Sequence, residues 1–152
     1  MVQINRLANI LVAIDGSEQS MRAADLAISI ASKYQSQLTA LHVISLNYGA
    51  YNSPWFIDAE AFRALVERTK SEANTWLTEV ERKGQAQGVK VNTRIVETVK
   101  SVAAAIVEFA DADKADIIVI GSRGRSGFKR LLLGSVASDV VTYSICPVIV
   151  TR

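Results

Sequence analysis

Two short segments, Gly121-Ser122-Arg123-Gly124 and Gly134-Ser135, stand nine residues apart and have the composition of an anion-binding turn. Glycines let main-chain N–H groups approach phosphate oxygens with no Cβ in the way. A helix beginning at the second segment offers N–H groups that lack an intrahelical acceptor, together with a favourable dipole. Ser135 adds a hydroxyl, and Arg123, Arg125, Lys129 and Arg130 are cations available to anionic oxygens. The nine intervening residues reach at most about 30 Å when extended, enough to pass around a polyphosphate and return. Neither G-x-x-x-x-G-K-[ST] nor G-x-G-x-x-G occurs, so a Walker-type motor and a dinucleotide oxidoreductase are unlikely readings.

The elements that must position these segments follow from five apolar runs alternating with helical patterns, the mark of βαβ units and a parallel sheet. Ile10 to Ile14 is a continuous apolar strand ending at Asp15-Gly16-Ser17, and Ser17 is the expected cap of a helix whose Met21, Ala24, Ala27, Ile28 and Ala31 share a face. Leu38 to Ile44 reads as the second strand. The stretch from Ser45 to Asp58 reads as a long loop whose Tyr48, Tyr51, Trp55 and Phe56 suit the cover of a pocket or a partner surface. From Ala59 to about Lys83 one apolar stripe that includes Trp76 predicts a long amphipathic helix closed by Gly84 and Gly88. Val89, Val91, Thr93 and Ile95 alternate with polar residues, which predicts an edge strand with one wet face. Ser101 caps a further helix, and Ala115 to Ile120 is apolar on both faces and therefore central. A short helix from about Gly134 to Tyr143 precedes the last strand, Pro147 to Val150, at the other edge. Right-handed crossovers then give an open five-stranded parallel sheet of order 3-2-1-4-5 with helices on both faces. Winding reverses between strands one and four, so Asp15-Gly16 and Gly121-Ser122 flank the crevice where ligands bind in such sheets.

Length and composition agree with one domain spanning residues 1–152. Hydrophobic residues make up 49% and charged residues 21%, with only 8 glycines and 2 prolines, which excludes a disordered or collagen-like chain. A single cysteine, Cys146, and a single histidine, His42, exclude a disulfide framework and a typical structural zinc site. The apolar run before Asp15 is too short for a signal-peptide core or a membrane span, so a cytoplasmic protein with no membrane partner is expected. A net charge of +2 is too small to call for a nucleic-acid partner, and the basic excess is concentrated between Arg123 and Arg130, where it suits a small or locally docked anion.

The spacing G-x2-G-x9-G-[ST] resembles the nucleotide-binding motif of the ATP-binding members of the universal stress protein family. The resemblance runs the length of the chain, through Ile10 to Ser17, Leu41-His42-Val43, Ala115 to Ser122, and Cys146-Pro147-Val148-Ile149-Val150. It implies an adenine nucleotide alpha hydrolase-like fold. It also implies that Gly121, Ser122, Gly124, Gly134 and Ser135 surround phosphates and ribose, with Arg123 beside them. Ala13, Ile14 and Asp15 would line the nucleotide, and Val43 would hold adenine through its backbone. ATP is the implied ligand, with AMP or a cyclic nucleotide as alternatives. The last strand, Val148, Ile149 and Val150, would pair with its copy in a homodimer, covering an apolar edge that otherwise stays open.

Each of these residues also has a structural reading. Asp15 either meets the nucleotide or a Mg²⁺ travelling with it, or forms an Asx turn or helix cap. His42, inside a strand, reads as a satisfied core or lining residue without catalytic duty. Cys146 reads as a packed small apolar group, and the glycine loop alone is compatible with a plain strand-to-helix connection. Three functions follow: a nucleotide-binding regulatory protein, a slow ATPase or autophosphorylating enzyme on the same site, or an interaction module whose loop stays empty. No histidine falls in the loop and Asp15 and Asp139 have no visible orienting partner, so the first function is favoured over the second.

Overall fold

The continuous apolar runs become buried strands and the amphipathic stripes become helices laid on them. The computed structural model describes residues 7–47, 58–125 and 133–152. The aromatic loop residues Tyr48, Tyr51, Trp55 and Phe56, and the basic residues Lys129 and Arg130, lie outside that set. The elements run β1 (Asn9–Ala13), α1 (Glu18–Tyr34), β2 (Gln37–Ser45), α2 (Ala59–Ala86), β3 (Val91–Thr98), α3 (Val102–Ala112), β4 (Ile117–Gly121), α4 (Ser135–Tyr143) and β5 (Val148–Thr151). All neighbouring strands are parallel and the order is β3-β2-β1-β4-β5, as the crossover argument requires.

The sheet separates two apolar layers. On one face Ile10, Val12, Ile117 and Val119 pack under Ala24, Ala27 and Ile28 of α1 and Leu77 and Val80 of α2. On the other, Leu11, Leu41, Ile118 and Ile120 pack under Ala105 and Ile106 of α3 and Ala137 and Val140 of α4. Alternate side chains of β1 and β4 enter opposite layers, which explains why those strands are apolar at every position. β3 is an edge strand, with Arg94 and Glu97 exposed. Ser17 and Ser101 cap their helices, accepting from Ser20 N and Ala104 N at 3.1 Å each. Asp58 does the same for α2, accepting from Ala61 N at 2.7 Å.

Three boundaries differ from the sequence reading by two residues or more, among them β4, which begins at Ile117 rather than Ala115 because the Ala115 N–H is used by the Ala110 carbonyl at 2.9 Å after α3. α2 continues through Gly84 to Ala86, and only Gly88, at φ +70°, leaves the helical hand. Gly84 is buried inside the helix because a Cβ there would collide with Val91 Cγ2 and sit 3.0 Å from the Val89 carbonyl oxygen. It is a packing glycine between α2 and β3 rather than a stop signal. β3 begins at Val91 instead of Val89, because the Val89 N–H is used by the Gly84 carbonyl at 2.8 Å in the turn that ends α2. Among the described residues no helix is long and apolar enough to cross a membrane.

Candidate functional site

At the carboxyl ends of β1 and β4 the sheet opens into a cavity of about 240 Å³. All ten residues nominated from the sequence line it: Ala13, Ile14 and Asp15 after β1, Val43 on β2, Gly121, Ser122, Arg123 and Gly124 at the end of β4, and Gly134 and Ser135 at the start of α4. One wall is apolar, formed by Leu41, Val43, Val102, Ile106 and Ala137. The opposite rim carries polar main chain and the side chains of Asp15, Ser20, Arg123 and Arg125. An apolar slot ending in convergent polar groups suits a ligand with a flat, weakly polar ring at one end and anionic oxygens at the other.

The two halves of the glycine motif meet in space. Gly134 N donates to the Ser122 carbonyl at 2.6 Å. A Cβ on Gly134 would lie 3.2 Å from that oxygen and 3.4 Å from Arg123 Cα, so only glycine permits this approach without displacement. Ser122 N in turn donates to the Thr151 carbonyl at 2.7 Å, tying the loop to the end of β5. Gly121 is required by α1, since a Cβ there would sit 3.0 Å from the Gln19 carbonyl carbon and 3.1 Å from Ser20 N.

Convergence does not leave every main-chain donor open to a ligand, as the glycine composition by itself implies. The N–H groups of Ser122, Arg123 and Gly134 are all engaged inside the protein. Among the described residues no acceptor meets Gly124 N or the N–H groups of Ser135, Val136 and Ala137 in the first turn of α4, which precede any intrahelical acceptor. Gly134 supplies no side-chain cap to satisfy them. Dipole and donors together make that helix start the anion-attracting end of the cavity.

Asp15 forms the Asx turn of its structural reading. Its Oδ1 accepts from Ser17 N at 2.9 Å in an Asx turn, while Oδ2 faces Gly124, where a Cβ would come within 2.6 Å of it. His42 is buried, and its Nδ1–H donates to the Ile14 carbonyl at 2.6 Å, fixing the strand end that carries Asp15. Burial holds its pKa below the ordinary value of 6.5, against opposing contributions from that hydrogen bond and from Asp15. The imidazole is therefore neutral at pH 7 and adds no cation to the site.

Two contributors escape a sequence reading. Gln19, in the first turn of α1, accepts through Oε1 from Arg123 N at 2.7 Å and from Ser122 Oγ at 3.2 Å, and so holds the loop from across the sheet. Trp76, which the stripe on α2 assigns to the core, lies at the core margin, with its indole against Gly16 and its edge to His42 at a ring separation of 5.4 Å. The Arg125 guanidinium lies over the same ring, 4.8 Å from its centroid. Gly16 has φ +80°, and any side chain there would fall inside the indole. No local pattern marks either residue, because each acts on a segment remote in sequence.

Comparison with known proteins agrees with this arrangement. The model of the universal stress protein family matches residues 7–152. A universal stress protein of Methanocaldococcus jannaschii is 37% identical over 97% of this chain and 84% of its own. The structure of the universal stress protein UspA from Lactobacillus plantarum superposes with a TM-score of 0.84 at 27% identity, covering 97% of this chain and 99% of that one. A universal stress protein solved in complex with cAMP superposes with a TM-score of 0.69 at 26% identity, covering 95% and 96%. With its sheet order, its cavity and its matched length in agreement, the chain belongs to the universal stress protein family.

Proposed function

We propose that this protein binds an adenine nucleotide, ATP in preference to AMP or a cyclic nucleotide, and that binding rather than turnover is its working event. The observation that carries the reading is one cavity in which apolar side chains share the lining with Gly124 and with the start of α4, which no side chain caps. The adenine ring would lie along Leu41, Val43, Val102 and Ile106, and the phosphates would meet the open donors, with Ser135 Oγ and the arginines as further partners. The cAMP complex of a relative supports the ligand class. Asp15 would meet a Mg²⁺ carried in by the nucleotide. It is the one carboxylate among the described lining residues, and no cluster of three metal-ligating side chains occurs among those described. One carboxylate plus phosphate oxygens suits Mg²⁺ held by the nucleotide better than Mg²⁺ held alone.

On this reading the chain acts as a single 1–152 domain in the cytoplasm and as a homodimer paired through β5. Val148, Ile149 and Val150 are only half-buried at that edge, and exposed Val141, Tyr143 and Ile145 precede it. An isologous pairing of β5 with its copy would cover both the open ladder and this apolar strip. A nucleotide bound beside β5 would then alter what the dimer engages.

Isothermal titration with ATP and Mg²⁺ tests the central claim. Binding is expected, with a rise in melting temperature, because a ligand at 100 times its Kd stabilises the fold by about 2.7 kcal/mol. Gly124→Val should abolish the heat by filling the gap beside Asp15 Oδ2. No heat and no melting shift at millimolar ATP would end the proposal, and sedimentation showing only single chains at micromolar concentration would end its dimer.

A further inference from the structure

Arg125 lines the cavity, yet its guanidinium is turned onto α2. Its Cζ lies 4.8 Å from the Trp76 ring centroid, and Nη1 lies 3.9 Å from Glu72 Oε2. Trp76 is a fixed platform, because Gly16 leaves no space between the Asp15 turn and the indole, and His42 abuts the ring edge-on. The turn that presents Asp15 to the site and the ring that holds Arg125 are thus in direct contact. Both holds on the guanidinium are weak. The Arg125 side chain is 58% exposed and that of Glu72 39% exposed, and surface cation–π contacts and ion pairs fall at the low end of their ranges. Release strands neither partner. Glu72 Oε1 keeps Arg68 Nε at 3.3 Å, and the indole keeps its seat on Gly16.

We infer that Arg125 is a specificity-determining residue that sorts ligands by the length of their phosphate chain, exchanging Trp76 and Glu72 for the terminal phosphate of a triphosphate. The inference rests on the nucleotide reading above and assigns the site its preference. A monophosphate is satisfied by Gly124 N and the first turn of α4 and leaves Arg125 on the ring. A triphosphate brings further anionic oxygens to the rim, where a planar guanidinium makes charge-assisted, bidentate hydrogen bonds that outweigh either surface hold. Transfer removes the cation from Trp76, so phosphate-chain length is registered on α2 as well as in the loop.

The test compares ATP with AMP on the full chain by calorimetry. Emission of Trp76 is read in a Trp55→Phe background, where it is the one remaining tryptophan of two. ATP should bind about tenfold tighter than AMP, the order expected for one additional charge-assisted pair. ATP alone should change the emission. Arg125→Gln should weaken ATP to near the level of AMP, weaken AMP far less, and abolish the emission change. Glu72→Gln, which removes a competitor, should strengthen ATP about twofold. An Arg125→Gln variant that keeps the parent's ATP-to-AMP ratio, or a parent whose Trp76 emission ignores saturating ATP, overturns the role of Arg125 while leaving nucleotide binding intact. Failure of both nucleotides to bind the parent removes the underlying reading, and this one with it.

Discussion

Gln19→Leu isolates what holds the loop in place. The Gln19 amide oxygen accepts from Arg123 N and Ser122 Oγ, and its backbone is pressed against Gly121, so the side chain has little freedom to find other partners. Leucine keeps roughly the same volume and removes the acceptor. Ser122 is 2% exposed, so its hydroxyl has no water to turn to, whereas the half-buried Arg123 N–H recovers part of its loss from solvent. A stranded buried polar group costs about 1–3 kcal/mol. One fully buried donor and one partly buried donor together give an expected loss of about 2 kcal/mol, or about 4–8 °C in melting temperature for a domain of this size. Gln19→Glu separates hydrogen bonding from charge. A carboxylate accepts both bonds, and a negative charge in the first turn of α1 is favoured by the helix dipole, so stability should stay within about 0.5 kcal/mol of the parent. ATP should nonetheless bind more weakly, through repulsion of its phosphates. Urea unfolding followed by circular dichroism reads the first quantity and calorimetry the second. A leucine variant as stable as the parent would show that these bonds do not hold the loop, and a glutamate variant as unstable as leucine would show that packing, not hydrogen bonding, is what Gln19 supplies.

Gly16→Ala and Gly88→Ala form a controlled pair, since both positions have positive φ but only Gly16 faces the Trp76 ring, while Gly88 faces open space. The Gly88 variant should lose about 1 kcal/mol from left-handed strain, and the Gly16 variant at least about 2 kcal/mol more from displacing the indole, measured by urea unfolding; equal losses would mean the ring yields freely. His42 should confer a pH dependence on stability. Its folded pKa lies below the 6.5 of the unfolded chain, so below pH 6.5 the unfolded state takes up a proton that the folded state resists. Stability from this group is therefore complete above pH 6.5 and declines as pH falls toward the lowered folded value. His42→Gln should flatten unfolding midpoints between about pH 7 and pH 5, and an unchanged slope would assign the dependence to other groups.

The sheet order is legible in the chain because the number of covered faces is written into each strand. Leu11, Val12, Ile118 and Val119 must all be apolar, since each enters one layer or the other, whereas β3 alternates because one face is largely wet. Helix starts are equally local: Ser17 and Ser101 reveal themselves by preceding an apolar periodicity and reach only three residues ahead. What escapes is whatever depends on separation in the chain. Gln19 acts on Arg123 across 104 positions. Gly84 looks like punctuation until β3 is seen packed against it, and Trp76 looks like core until the Asp15 turn is found beneath its ring.

The glycine motif shows the same division within a single signal. Gly121 is demanded by the start of α1 and Gly134 by the Ser122 carbonyl, while a Cβ on Gly124 would meet only the tip of the Asp15 carboxylate, so at least two of the three glycines have a packing reason that holds with or without a ligand. Three of the main-chain donors in the motif are likewise consumed by the fold, through Thr151, Gln19 and Ser122. The spacing therefore specifies how a strand end, a helix start and the sheet edge are brought together. On the proposed reading, the capacity to attract an anion would reside in what that assembly leaves over among the described residues, namely Gly124 N and the first turn of α4, which no side chain caps. A relative could keep every glycine and lose the ligand by filling that turn with a capping side chain, or keep the ligand after changing a glycine whose neighbour has moved. Binding in this family should accordingly track the open donors of α4 more closely than the motif that positions them.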